Sequence, residues 1–142
     1  MSTSNDTVRI GALELRFLLD ETQAAGDTVI FEFLIPPGAR VPEPHYHRAV
    51  DEMLYGVAGT MTSTVDGVQH QLGAGDSLTI LRGQVHHHTN LADEPARCLV
   101  VLNGGTIGRR YFEEIAAAVN GPGRPDPATV HAIMERHGLM PA

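Results

Sequence analysis

From Val8 to about Leu102 hydrophobic and polar residues alternate in short runs, each closed by a turn signal. Leu13-Glu14-Leu15-Arg16-Phe17-Leu18 has the two-residue period of a strand with one buried face. Residues 28–35 are rich in β-branched and aromatic side chains, and Pro36-Pro37-Gly38 stops them. Residues 51–58 and 60–65 read as two strands separated by Gly59. Asp66-Gly67 predicts a two-residue hairpin, because a type I′ turn needs positive φ at both central positions. Residues 68–72 return, Gly73-Ala74-Gly75-Asp76 turns again, and 77–81, 85–91 and 96–102 complete the set. Short strands at this spacing predict an antiparallel sandwich or barrel.

After Gly108 the period changes. Tyr111, Phe112, Ile115, Ala116 and Val119 lie at helical spacing, and the run from Gly121 to Pro125 breaks the helix. A second helix opens with Asp126 as N-cap and Pro127 in its first turn. Val130, Ile133 and Met134 form its apolar stripe, and Gly138 suits the position just past its end. His131 and His137 sit among polar neighbours and are expected to face solvent. The chain therefore divides into an unstructured polar start (1–7), a barrel (8–108) and a helical extension (109–142). The extension is expected to pack on the outside of the barrel or on a second subunit, since two short amphipathic helices do not bury their stripes alone.

With 142 residues, the chain has room for one domain. Fifteen Gly and nine Pro favour turns over long helices, and with no Trp the core rests on aliphatic residues. A formal net charge of −7 would repel phosphate backbones, and no apolar run reaches the roughly 20 residues of a membrane span. Neither nucleic acid nor membrane is an expected partner. The start lacks the basic and apolar regions of a secretion signal, and the single Cys98, in an apolar run, reads as a buried hydrophobe. Both point to the cytoplasm.

Chemistry is concentrated in two windows. Five of the eight His fall at 45–47 and 86–88. His45 and His47, one residue apart on an extended segment, point to the same side. Glu52 adds a carboxylate oxygen, and a strand pairing would bring His86 alongside. Three imidazoles and one carboxylate suit a divalent transition metal with open positions. Gly38, Pro42 and Pro44 stiffen the approach to His45.

The spacing Gly38-x6-His45-x-His47-x4-Glu52-x6-Gly59 resembles the first cupin motif, with one extra residue after the first Gly. Gly75-x5-Leu81-x-Gly83-x2-His86-x3-Asn90 resembles the second, with Leu81 in place of the usual Pro. Closer still is the likeness to single-domain cupins similar to quercetin dioxygenases. There the second motif often reads His-x-Phe-x-Asn and is followed by a turn like Asp93-Glu94-Pro95-Ala96-Arg97 and a helical tail. The resemblance implies an all-β fold, a double-stranded β-helix (jelly-roll) barrel with a short C-terminal helical extension. It implies one metal ion per chain (Fe, Mn, Ni, Co, Cu or Zn) held by His45, His47, Glu52 and His86, and a homodimer.

His88 stands where the family often has an aromatic ring. By strand parity His86, His88 and Asn90 share the inner face while His87 points out; Glu52, Leu54 and Gly56 share another inner face. Leu54, Gly56, His88 and Asn90 are thus substrate-pocket candidates, with Gly56 widening the cavity unless it marks a bulge. Asn90 has a second reading as a barrel support. Glu52 and His88 are the catalytic candidates, as proton carriers. His70 is a further pocket candidate whose direction depends on register, and Tyr46 and Arg48 face away. The foremost expected function is a metal-dependent, quercetinase-like dioxygenase acting on a small organic molecule. The alternatives are a redox-free isomerase or lyase and a non-catalytic binding barrel.

Overall fold

The computed structural model describes residues 6–23, 27–41 and 43–142. Pro42 and the first five residues of the polar start therefore lie outside the described residues. Strand structure begins earlier than the alternation suggests: β1 (Thr7–Ile10) already pairs Thr7 with Arg16 of β2 (Leu13–Leu19). There follow β3 (Thr28–Ile35), β4 (His45–His47), β5 (Asp51–Ala58), β6 (Met61–Val65), β7 (Val68–Leu72), β8 (Ser77–Ile80), β9 (His86–Thr89) and β10 (Ala96–Asn103). Helices α1 (Arg109–Val119) and α2 (Pro127–Arg136) and a last strand, β11 (Leu139–Pro141), complete the chain.

The strands form two antiparallel sheets, one ordered β1-β2-β3-β10-β5-β8 and the other β11-β4-β9-β6-β7. This is the expected jelly-roll arrangement. Alternation sets its core: Val29, Phe31, Phe33 and Ile35 of β3 and Ala96, Cys98, Val100 and Leu102 of β10 are buried between the sheets. Cys98 is inert packing, its thiol pushed up to about 12 by burial. At the β6–β7 hairpin, Asp66 and Gly67 both take positive φ, 48° and 82°, as the turn requires. The expected strand 85–91 is shorter, because Val85 N–H donates to Asp66 and the Asn90 backbone turns to the 38–39 segment, donating to Ala39 O and accepting from Gly38 N–H.

Asp126 caps α2 by accepting from Ala128 N–H, and Gly138 (φ 84°) lets the chain leave it. Neither histidine of this region is left to solvent alone. His131 Nε2 is 2.9 Å from Glu43 Oε1, and His137 is hydrogen-bonded to Glu114 of α1. The helix α1 packs on the barrel with one face and leaves Arg110, Glu113 and Ala117 exposed on the other. Tyr111, Phe112 and Ile115 turn inward and line the barrel cavity, with Phe112 against Phe31 at 5.2 Å between ring centres. Its N-terminus is held by Glu21, whose carboxylate accepts from Arg109 N–H and Arg110 N–H. No helix among the described residues is long and apolar enough to cross a membrane.

Candidate metal centre

β4 and β9 are antiparallel neighbours, and their register sets His45 opposite His86. The two-residue period carries His47 to the same side as His45 and His88 to the same side as His86. Glu52 enters from β5 in the other sheet, so the cluster is clamped between the layers. None of the five residues is more than 7% exposed.

Two of the imidazoles are oriented in the same way. His45 Nδ1 is 2.8 Å from Glu43 O, and His86 Nδ1 is 2.9 Å from Gln84 O, in each case the carbonyl two residues earlier. A carbonyl only accepts, so each ring carries its proton on Nδ1 and turns a lone pair on Nε2 to the centre. His86 Nε2 is buried and has no hydrogen-bond partner. Ligand atoms of His45, His47 and His86 lie within 4.8 Å of one another, as do those of Glu52, His86 and His88. Glu52 divides its two oxygens. Oε1 is 3.9 Å from both His47 Nε2 and His86 Nε2, whereas Oε2 is 3.0 Å from His88 Nε2. On its far side His88 Nδ1 meets Ser63 Oγ at 2.9 Å.

The electrostatics favour a cation here. Burial, then the neighbouring His86 and His47, lowers His45 to about 3. Burial, partly countered by Glu52, lowers His47 to about 4, and burial also lowers His86. Burial alone would raise the Glu52 carboxyl. The hydrogen bond from His88 leads the opposing interactions, which outweigh it and hold Glu52 below the usual carboxylate range. Neutral imidazoles beside an ionised carboxylate form a metal-ready donor set, and the orphaned His86 Nε2 is the atom such an ion would satisfy. The residues present therefore fit a divalent transition metal.

The cluster closes one side of a cavity of about 80 Å³. Phe31, Phe33, Val100 and Leu102 line it from the barrel, and Tyr111, Phe112 and Ile115 from α1, with His45, His47, Glu52 and His88 as its polar groups. Phe31 and Phe33 were open to prediction from the inner-face alternation of β3; the contribution of α1 was not.

Three pocket candidates lie elsewhere. Leu54 is fully buried but is not among the residues lining the cavity. Gly56 does not widen it either. A Cβ there would sit 2.0 Å from Gly73 O, so this glycine admits the β7–β8 turn, and it borders a bulge opposite Cys98. Asn90 donates to Ile35 O and Glu94 O and accepts from Ala92 N–H, which makes it a barrel support. His70 pairs across from Ser63 and is not among the residues lining this cavity, while His87 turns outward to Val41 O. Ser63 was missed; its signal was inner-face parity with Met61 and Val65.

A match to the cupin domain (Cupin_2) spans residues 31–102. The chain belongs to the cupin family. The tetracenomycin polyketide synthase protein TcmJ of Streptomyces glaucescens is 30% identical over 103 residues, 72% of this chain and 68% of that protein. Among solved structures, a Cupin 2 conserved barrel domain protein from Salinispora arenicola CNS-205 aligns over 96% of both chains, with a TM-score of 0.60 and 17% identity. A sugar phosphate isomerase from Silicibacter pomeroyi DSS-3 aligns over 66% of this chain and 60% of its own, with a TM-score of 0.59 and 24% identity. At these identities the two structures speak for the cupin fold alone.

Proposed function

We propose that this cupin is a metal-dependent enzyme acting on a neutral, largely apolar small molecule that presents a hydroxyl, enol or carbonyl oxygen, and foremost that it is a quercetinase-like dioxygenase. The carrying observation is the unpartnered His86 Nε2, 3.9 Å from Oε1 of the Glu52 that lines the cavity, together with a lining that, among the described residues, holds no Lys or Arg. With no Lys or Arg to supplement the ion, the charges of phosphates and dicarboxylates beyond the group at the metal would be buried at a desolvation cost. Aromatic or alicyclic bodies would pack against Phe31, Phe33 and Phe112. The similarity to a polyketide synthase protein points the same way, since polyketides are enolisable and mainly apolar.

His45, His47, His86 and Glu52 would hold the ion, which when bound supplies Lewis acidity that eases loss of a proton from a substrate hydroxyl or enol. The chain's own share is positional. The carbonyls of Glu43 and Gln84 aim two imidazoles, and the apolar walls keep bulk water from the reacting oxygen. Glu52 Oε2, held by His88, is the base positioned to take that proton. The same pair supports a second reading, a redox-free isomerase or lyase in which Glu52 and His88 move a proton between two carbons of the substrate.

Metal analysis by mass spectrometry of protein purified without chelator, followed by oxygen uptake with flavonol, catechol and β-diketone probes, tests both readings. About one equivalent of metal with substrate-dependent oxygen consumption is expected. Turnover under argon would favour the isomerase or lyase. Failure to take up any divalent metal, even on reconstitution, would overturn the ligand assignment.

A further inference from the structure

The strand that carries two of the ligands has few backbone ties to the rest of the barrel, one of them Gly83 N–H to His47 O at 2.9 Å. β4 is three residues long and shares a single residue pair, His45 with His86, with β9. Its other edge is covered by β11 along its whole length: Leu139 opposite His47, Met140 opposite Tyr46 and Pro141 opposite His45. Backbone hydrogen bonds bracket the pair at both ends, Arg48 N–H to Gly138 O at 2.9 Å and Ala142 N–H to Pro44 O at 3.0 Å. Leu139 also lines the cavity beside the two imidazoles.

A second tether reaches the same ligand from α2. His131 Nε2 is 2.9 Å from Glu43 Oε1, and the backbone carbonyl of that same Glu43 aims His45 Nδ1. The segment after α2 is itself anchored, because His137 is hydrogen-bonded to Glu114 of α1, which also pairs with Arg136 at 3.1 Å. The supporting groups themselves, Glu114, His131, Arg136, His137 and β11, lie beyond Leu102, where the cupin domain match ends.

We propose that β11 and His131 belong to the metal site as positioning elements: they set the spacing and aim of His45 and His47, and so the affinity and symmetry of the bound ion. Outside the cupin domain the chain thus carries a clamp that completes the sheet edge on which half of the ligand set stands. A three-residue strand left with one cross-strand pair and the Gly83 bond would have more freedom to move relative to His86. The proposal rests on the metal reading of the site.

The test is Co(II) titration of the full chain, of a chain lacking Pro141 and Ala142, and of His131→Ala. Affinity is read by chelator competition and ligand symmetry by the visible d–d absorption, with circular dichroism and metal-free melting as fold controls. Loss of supporting groups around metal ligands typically weakens binding ~10–100-fold. We expect a loss of about tenfold or more for the shortened chain, a several-fold loss for His131→Ala, and an altered d–d spectrum in both, with circular dichroism unchanged. Parental affinity and spectrum in whichever of the two variants folds would overturn the proposal. A full-length chain that binds no Co(II) would instead overturn the metal reading, and the proposal with it.

Discussion

Glu52 Oε2 lies 3.0 Å from His88 Nε2 while Glu52 Oε1 faces His47 and His86 at 3.9 Å each. One carboxylate therefore serves two neighbours, and His88 governs how it is presented to the ligand cluster. Ser63 holds the other side of the His88 ring, so the imidazole has little freedom.

His88→Ala is expected to leave a buried carboxylate oxygen without its partner, at a cost of about 1–3 kcal/mol. Metal affinity should fall ~10–100-fold, as it does when groups orienting metal ligands are removed. Chelator competition on the purified variant measures this. Unchanged affinity would show that Glu52 keeps its position without His88.

The lowered histidines give the metal-free protein a defined acid lability. His45 titrates near 3 and His47 near 4 in the folded chain, against an ordinary 6.5 when unfolded. Between those values the unfolded chain binds more protons than the folded one, so stability rises with pH and is lost as pH falls from about 6.5 toward 3. Glu52, also held low, adds a loss in the same direction below its ordinary value of 4.5. The melting midpoint of chelator-treated protein should therefore drop steadily from pH 6.5 downward, and His45→Asn should flatten that slope. A flat profile in the parent chain would contradict the burial of neutral imidazoles.

Gly56→Ala separates a pocket role from a packing role. The added methyl would meet Gly73 O at 2.0 Å, on backbone already fixed by Gly56 N–H to Asp76 O and Gly75 N–H to Gly56 O. Overpacking of this kind costs typically 1–3 kcal/mol, and more where backbone must shift. Denaturant unfolding should show that loss while the folded fraction retains its metal. Parental stability would mean that the turn yields easily.

The clustering of the candidate ligands was legible because it depends on local parity. His45 with His47, and His86 with His88, share a face whatever the rest of the fold does, and Asp66-Gly67 dictates its own turn. The barrel followed from the same alternation. What the sequence did not disclose depends on contacts between distant segments. Gly56 answers to Gly73, seventeen positions on, and so looked like open space. Asn90 carried two readings, and its bonds to Ile35 O and Glu94 O decide for support of the barrel. β11 has three residues and ends in a proline, too few to show a period, and only its register with β4 reveals it. The apolar stripe of α1 announced that something would cover it, but not that the cover would be the cavity itself.

That last feature carries a prediction about substrate size. With Tyr111, Phe112 and Ile115 in place, the cavity holds about 80 Å³, against the ~300–1,000 Å³ of pockets that enclose drug-sized ligands. Phe112 packs against both Phe17 and Phe31 and is only partly buried, so it is the wall residue whose loss the barrel should survive best. Phe112→Ala removes that ring at a cost of up to about 3–5 kcal/mol, less if the helix settles into the gap. If the helix stays in place, the variant should admit apolar ligands one ring larger than the parent accepts, with little change for the smallest. Binding of a graded series of catechols and flavonols to Co(II)-loaded parent and variant, followed by perturbation of the d–d absorption, measures the shift. An identical size limit in both proteins would mean that α1 does not bound the substrate space and that ligands reach the metal from another side of the barrel.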